Sequence, residues 1–207
     1  MPSIVGLLIS PLLGYLLGSI PVAAMISRRS QLDIFSIGTG LPGATNVFRN
    51  VGRRAGFVVI MGDAAKGALA IVVADRLGLD GVWVLLAGVT AITGHWRSVF
   101  TGFRGGDGVG TLLGITLAAM PAYGSIGLGV ALVVSWVFRR FKHPSLWGGV
   151  TGYCVLISVA LINGIDLLLA IGIVILAVMV LAHSVVGHRR RRSEQELVEL
   201  LEHGDGA

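Results

Sequence analysis

Apolar residues fall into seven long stretches separated by polar segments. The stretches cover residues 4–27, 55–74, 82–93, 109–120, 122–138, 146–162 and 165–186. About 20 apolar residues in a helix cross the ~30 Å hydrocarbon layer of a bilayer. The pattern therefore predicts an all-α integral membrane protein, a seven-transmembrane-helix bundle. The first stretch begins almost at Met1 with no basic residue before it, so we expect a retained helix rather than a cleaved signal.

The region 109–138 can be read as one long helix or as two helices. A single helix of 30 residues would be about 45 Å long, which exceeds the bilayer thickness without strong tilt. Two helices would break at Pro121, since proline interrupts a helix. With two helices, 14 of the 16 basic residues share one side, whereas one helix divides them evenly. Cytosolic loops carry the excess of Lys and Arg. We therefore predict two helices, an outside N-terminus and a cytosolic C-terminus.

Composition agrees with a membrane protein. Hydrophobic residues make up 54% of the 207 residues and charged residues only 13%, with a mean hydropathy of +0.85. A soluble domain carries about 25% charged residues. The chain has 31 glycines, and small residues allow membrane helices to approach closely. Cys154 is the only cysteine, which excludes an internal disulfide, and we expect it to be a small buried side chain.

The first polar segment with a chemical signature is residues 37–49. It carries three glycines, two threonines, Asn46 and Arg49. Glycines let backbone N–H groups converge, and Thr45 or Asn46 can cap the next helix, whose N-terminus favours an anion. The pattern indicates an anion site. The alternative is a glycine-rich turn followed by an ordinary helix cap.

A second polar segment covers residues 94–111. Its Gly105-Gly106-Asp107-Gly108 sequence precedes an apolar helix and predicts a cluster of N–H groups at the positive end of that helix. Arg104 can hold a phosphate through two parallel hydrogen bonds. His95 is more typical of a structural histidine than of a base. With residues 142–146 and 187–189, these segments place four cation-bearing clusters on one membrane face, which indicates an anionic, lipid-related substrate.

At the level of motifs, the chain resembles the bacterial acyl-phosphate:glycerol-3-phosphate acyltransferases, the PlsY family. The motifs follow in the family's order along nearly the whole chain: Gly18-Ser19-Ile20-Pro21, residues 38–49, Asp63 with Lys66 and Gly67, residues 94–111, Ser145-Leu146 and His188-Arg189. The resemblance implies seven spans with an outside N-terminus. It also implies an enzyme that transfers a fatty acyl group from acyl phosphate to the 1-hydroxyl of glycerol 3-phosphate, forming lysophosphatidic acid in phospholipid synthesis.

The resemblance also implies roles for particular residues. Thr45, Asn46, Arg49, Ser145 and His188 match family positions that bind substrate or support catalysis, and Thr39 keeps the hydroxyl of a family serine. We therefore expect catalytic roles for Thr39 and His188, and substrate contacts from Gly40, Gly43, Thr45, Asn46, Arg49, Arg104, Gly105, Gly106, Gly108 and Ser145. The resemblance implies no cofactor or metal, and we expect no covalent acyl-enzyme because no Ser/His/Asp arrangement is apparent in the sequence. Acyl phosphate is already activated, so the enzyme has mainly to position it and stabilise charge.

The expected setting is a bacterial inner (cytoplasmic) membrane, with the site facing the cytosol. Acyl phosphate and glycerol 3-phosphate are the expected partners, and no nucleic acid is. We expect a monomer with a transmembrane domain at residues 1–192 and a short cytosolic tail at residues 193–207. The run Arg189–Arg192 is expected to contact anionic lipid headgroups.

Three positions depart from the family motifs. Leu41 replaces an amide, Asp107 replaces a lysine, and Arg191 replaces an asparagine. Reversing one charge of a pair at 4 Å changes phosphate binding by something on the order of 8 kcal/mol at an effective dielectric of 20. Arg191 can compensate, either by pairing with Asp107 or by contacting the phosphate itself.

Other readings stay open at this stage. The main alternative to a working acyltransferase is a divergent paralog of the same fold with a different acceptor or without catalysis, and a small-anion transporter is a third, weaker alternative. Asp63 and Lys66 lie inside the second apolar stretch, where charges are costly and often functional. Their i, i+3 spacing favours a structural pair whose charges neutralise each other.

Overall fold

A computed structural model describes residues 2–141, 144–164 and 166–204, with side chains described as far as residue 187. The described residues form helices and contain no β-strand. The helices are α1 (Ile4–Ser19), α2 (Val22–Arg29), α3 (Ala44–Asn50), α4 (Arg53–Arg76), α5 (Leu85–Trp96), α6 (Val109–Ala119), α7 (Pro121–Val137), α8 (Pro144–Ile162) and α9 (Leu167–Gly204). Short 3-10 turns precede and follow α5 at Gly81–Val84 and Val99–Thr101.

Within the described part of the chain, four apolar helical segments are long enough to cross a membrane. They are Ile4–Arg29, Arg53–Arg76, Pro144–Ile162 and Leu167–Gly187, of 26, 24, 19 and 21 residues. The helices α6 and α7 are apolar but shorter. The expectation of an all-helical membrane protein is therefore confirmed. Cys154 on α8 is exposed rather than buried, because the outer surface of a membrane bundle is itself apolar.

The first apolar stretch is not the single helix that the sequence predicted, because it breaks between α1 and α2. Pro21 has φ −89° and ψ 67°, and the Val22 N–H donates to the Ile20 carbonyl at 3.1 Å. This geometry is an inverse γ-turn. The proline ring fixes φ and lacks an N–H, so the chain cannot continue the helix through this position without loss of a backbone hydrogen bond.

Residues 109–138 form two helices, as the sequence predicted. The break lies at Met120, immediately before Pro121 at the first position of α7. A Cβ on Gly124 would lie 3.0 Å from the Thr116 carbonyl oxygen. In one straight helix, residues eight apart are about 12 Å apart. The chain therefore folds back sharply at Met120.

Glycines mark the closest helix contacts and show the relative direction of α1 and α5. Gly14 packs on Ala87, and Gly18 packs on Ala91. Because both members of the second pair lie four residues further along, α1 and α5 run parallel. By the same reasoning, α4 and α6 run parallel, since Asp63 lies against Gly110 and Gly67 against Ile115.

The helices α7 and α8 form an antiparallel pair. A Cβ on Gly127 would be 3.3 Å from the Cβ of Leu156, and one on Gly152 would be 2.9 Å from that of Ala131. The residue number increases along one helix as it decreases along the other, so the two helices run in opposite directions. The last helix, α9, runs parallel to α5, since its Gly172 packs near Leu85 at the start of α5 and its His183 stacks on Trp96 at the end.

These directions bring the ends of α1, α5 and the membrane part of α9 together with the starts of α4 and α6. We call this the basic end, since Arg28, Arg29, Arg53, Arg97 and Arg104 lie in or beside the segments gathered there. The main apolar core lies between α4, α5, α6, α8 and α9. A smaller core of Ala23, Ala24, Ile34, Val47 and Val59 lies beneath the polar segment that follows α2.

Candidate functional site

The polar segment between α2 and α3, residues 30–43, is called the first loop, and Asn46 holds it in shape. The Asn46 side-chain amide donates to the Leu41 carbonyl at 2.9 Å and to the Ile37 carbonyl at 3.0 Å. Its oxygen accepts from the Thr39 N–H at 3.3 Å and from the Asn50 side chain at 2.7 Å. Asn46 is only 4% exposed. Its polar atoms are therefore directed to the loop itself rather than to the surface.

The other predicted residues of the first loop and α3 point outward. Thr39, Thr45 and Arg49 are exposed, and Gly40 adopts φ +66°. The prediction that Thr45 or Asn46 caps the helix is wrong. The N-cap of α3 is Gly43, which has no side chain to donate or accept, and both predicted capping residues lie inside the helix. The exposed hydroxyls and guanidinium remain accessible at the basic end.

The segment between α5 and α6, residues 97–108, is called the second loop, and its glycines pack tightly on the end of α5. The Gly106 N–H donates to the His95 carbonyl at 3.2 Å. The Trp96 indole N–H donates to the Asp107 carbonyl at 2.9 Å. Gly105 contacts the carbonyls of His95 and Trp96 so closely that a Cβ there would overlap them. Gly108, at φ +90°, is the N-cap of α6, so the Gly105–Gly108 segment directly precedes an apolar helix, as predicted.

Arg104 connects the two loops. Its guanidinium carbon lies 4.2 Å from the centre of the Phe35 ring in the first loop, an attractive cation–π geometry. Its Nε donates to the Thr101 carbonyl at 3.5 Å. Nearby, the Pro42 carbonyl is so close to Gly106 that a Cβ there would be 2.8 Å away. Arg104 itself is exposed, so its charge is available to an anion between the loops.

Three buried polar side chains meet beneath the loops. The predicted ion pair forms, with Lys66 Nζ 2.9 Å from Asp63 Oδ1. His95 Nδ1 lies 3.7 Å from the same oxygen, too far for a hydrogen bond. The Lys66 ammonium also donates to the Ile20 carbonyl at 3.0 Å. All three side chains belong to residues at most 6% exposed. The i, i+3 spacing signalled the pair, but no sequence pattern signalled that His95 joins it.

A narrow polar crevice runs between the break in the first stretch and the second loop. Its enclosed volume is about 20 Å³, close to that of a single water site. The residues that line it include Gly18–Ala23, Pro42, Asp63, Lys66, His95, Ser98, Thr101 and Arg104–Gly106. Among the residues that the structure describes, no group of three His, Cys, Asp or Glu is arranged to hold a metal ion.

Not all predicted site residues are brought into this crevice. Ser145 is exposed at the start of α8, and it is not among the crevice residues. The side chains of His188 and Arg191 lie outside the described residues. Leu41 is buried at 8% exposure, and its carbonyl accepts from the Asn46 side-chain amide. Asp107 is half-buried beside Trp96.

The fold and the site define a class: an all-helical membrane protein with two packed, glycine-rich polar loops at its basic end. A sequence model of the glycerol-3-phosphate acyltransferase family matches residues 8–193, so the chain belongs to that family. A glycerol-3-phosphate acyltransferase of Geotalea daltonii is 36% identical over 184 residues, which cover 89% of this chain and 93% of that one. Glycerol-3-phosphate acyltransferase 1 of Deinococcus radiodurans is 39% identical over 151 residues, covering 72% and 76%.

Solved structures agree with the family assignment. The chain superposes on PlsY (YgiH), an integral membrane glycerol 3-phosphate acyltransferase, in its glycerol 3-phosphate form with a TM-score of 0.72. The identity is 28%, and the match covers 96% of this chain and 92% of that chain. The lysophosphatidic acid form of the same protein gives a TM-score of 0.71 at 27% identity, with the same coverage. The resemblance inferred from the motifs is therefore confirmed.

Proposed function

We propose that this protein transfers a fatty acyl group from acyl phosphate to the 1-hydroxyl of glycerol 3-phosphate, giving lysophosphatidic acid and phosphate. The hydroxyl oxygen attacks the acyl carbon, a new ester bond forms, and phosphate leaves with the electrons of the broken C–O bond. The observation that carries the proposal is the contact between the two glycine-rich loops, with the Arg104 charge exposed between them. Such an arrangement suits two substrates that each carry a phosphate group.

The proposed roles of the residues follow their exposure. Arg104, Arg49 and Thr45 are the exposed polar groups that we assign to phosphate and glycerol 3-phosphate binding, with Gly40, Gly43, Gly105, Gly106 and Gly108 shaping the loops around them, and Ser145 contributing from α8. Thr39 and His188 are the proposed catalytic residues, and His188 is the proposed acceptor of the hydroxyl proton. We reassign Asn46, because its hydrogen bonds hold the first loop.

The proposed membrane arrangement has seven spans, an outside N-terminus and a cytosolic C-terminus. It is supported by the helix directions, since α1, α5 and α9 run opposite to α4 and α6. The basic end then faces the cytosol of a bacterial inner membrane, where Lys and Arg are enriched. Acyl phosphate, with its apolar chain, enters from the lipid, and glycerol 3-phosphate enters from water. We further propose a monomer, with residues 1–192 as the acyltransferase domain, residues 193–207 as its tail and anionic headgroups around the arginines.

One assay tests the proposal. Purified protein in detergent is given acyl phosphate and labelled glycerol 3-phosphate, and lysophosphatidic acid is measured together with released phosphate. The expected result is product and phosphate in equal amounts. Arg104→Gln is the matched variant, and its KM for glycerol 3-phosphate should rise about tenfold or more, since a charge-assisted phosphate contact is lost. Folded protein that makes no product would refute the proposal and favour a paralog with another acceptor.

A further inference from the structure

The break between α1 and α2 leaves two backbone carbonyls without their helical donors. In a continuous helix the Ser19 and Ile20 carbonyls would accept from the N–H groups of residues 23 and 24. Here the Ser98 hydroxyl donates to the Ser19 carbonyl at 2.5 Å. The Lys66 ammonium donates to the Ile20 carbonyl at 3.0 Å. The Ile20 carbonyl also accepts from the Val22 N–H of the γ-turn at 3.1 Å, so the Lys66 bond is its second. Backbone carbonyls without donors are costly inside a membrane, and side chains from other elements help to stabilise this break.

Lys66 therefore has a second role besides neutralising the charge of Asp63. Its partner Asp63 balances the charge at 2.9 Å, and a pair of that kind can usually be replaced by apolar side chains without loss of stability. The bond to the Ile20 carbonyl cannot be replaced in that way, because an apolar side chain has no N–H to donate. Lys66 thus connects α4 to one wall of the crevice, formed by Gly18–Ala23.

The opposite wall of the crevice is tied to the same pair. His95 lies beside Asp63, with 3.7 Å between Nδ1 and Oδ1, and the His95 carbonyl accepts from the Gly106 N–H in the second loop. The pair of Asp63 and Lys66 is buried between the two walls. A shift of the Ile20 carbonyl would therefore change the distance between the helix break and the glycines of the second loop.

We propose that Lys66 is a positioning residue for acyl transfer, which it supports by holding the Ile20 carbonyl and so fixing the crevice wall opposite Gly105 and Gly106. This inference rests on the proposed function. Lys66 does not itself touch a substrate in this scheme. Its contribution is geometric, since a displacement of about 1 Å in an active site can cost on the order of a hundredfold in rate.

Two double variants isolate the hydrogen bond from the charge. Both carry Asp63→Asn, and they differ only in Lys66→Gln or Lys66→Met. Gln and Met have the same side-chain length and neither is charged, but only Gln keeps an N–H donor for Ile20. We expect kcat of the Met variant to be about tenfold or more below that of the Gln variant, with KM for glycerol 3-phosphate nearly equal in the two. Backbone amides of Val22–Arg29 should exchange with deuterium faster in the Met variant alone.

A control variant separates the loss of positioning by Lys66 from a general loss of protein stability. Ile71→Val lies on the same helix, five residues from Lys66, and truncates a side chain that is 3% exposed. It should lower thermal stability and leave kcat and the exchange of α2 unchanged. Equal kcat in the Gln and Met variants would overturn the proposal, and so would a slower Met variant whose α2 exchange is unchanged. If the wild-type protein makes no product, the proposed function fails, while the exchange comparison still tests the Lys66 contact.

Discussion

Asn46→Ala is the substitution that most directly separates two roles for this residue, substrate binding and support of the first loop. The side chain donates to the carbonyls of Leu41 and Ile37 and, at 3.4 Å, of Ile34, and it accepts from Thr39 and Asn50. Each of the four shorter bonds is worth about 1 kcal/mol net, and buried groups left unpaired cost more. Loss of these bonds should therefore lower the free energy of unfolding by about 4 kcal/mol.

The assay is reversible unfolding in mixed micelles, combined with the KM for glycerol 3-phosphate. Thr45→Ala is the matched control, since Thr45 is an exposed neighbour on the same helix and should not change stability. Asn46→Asp should be nearly as harmful as Asn46→Ala, because it replaces the donating amide by a carboxylate that faces the carbonyls of Ile34, Ile37 and Leu41. The reasoning is refuted if Asn46→Ala leaves stability within about 1 kcal/mol of the wild type and raises the KM. That result would restore the substrate contact predicted from sequence.

Three further predictions concern packing and charge. Gly152→Ala should destabilise the protein by about 1–3 kcal/mol, because the new Cβ would lie 2.6 Å from a backbone oxygen of α7. Gly149→Ala, whose Cβ would have no atom within 4 Å, should instead stabilise the helix by about 0.5–1 kcal/mol. Thermal unfolding of the two variants checks this. Trp96→Phe keeps a ring for the 4.2 Å stack on His183 of α9 but loses the indole N–H that donates to the Asp107 carbonyl. The free energy of unfolding should therefore fall by about 1 kcal/mol. A fall as large as that of Trp96→Ala would show that the ring stack contributes nothing, which would contradict the prediction. Arg191→Asn should raise the KM for glycerol 3-phosphate about tenfold or more, and adding Asp107→Lys should reverse the rise. If binding is unaltered in both single variants and in the double variant, Arg191 does not compensate for the charge reversal at Asp107.

The helical architecture could be predicted well from hydropathy because the bilayer imposes a length on each apolar segment. Every predicted apolar stretch falls largely within a helix or helix pair of the structure, and the break near Pro121 follows from proline chemistry. The break at Pro21 was missed, although it has the same cause. Hydropathy cannot distinguish a kinked helix from a broken one, since both have the same composition. The difference here depends on Ser98 and Lys66, which come from other parts of the chain.

For the candidate site, the sequence predicted which segments contribute but not how their side chains are arranged. The distribution of basic residues predicted that the two loops lie on one membrane face, and the structure brings them into contact through Arg104 and Phe35. The sequence did not show which loop residues bind substrate and which hold the loop in shape. Asn46 has the polar side chain expected of a substrate contact, and its burial depends on how the first loop folds over α3. The contact of His95 with Asp63 joins residues 32 positions apart, a distance at which no periodicity carries information.

The broken first span and the buried charges of α4 depend on each other. A lysine inside a membrane span is costly unless it is paired and hydrogen-bonded, and a helix break there is costly unless its carbonyls find donors. Lys66 meets both conditions at once, because Asp63 balances its charge and the Ile20 carbonyl accepts a hydrogen bond from its ammonium. Removing the lysine leaves the Asp63 carboxylate without its counter-charge, and removing the aspartate leaves the Lys66 ammonium without its own. Pro21 provides the break at which the Ile20 carbonyl meets Lys66. The three residues therefore act as one unit, and its effect is to place a bent, polar segment of backbone against the glycines of the second loop. An unbroken apolar helix would present only side chains at that position, whereas a reaction between two phosphate-bearing substrates needs a polar wall.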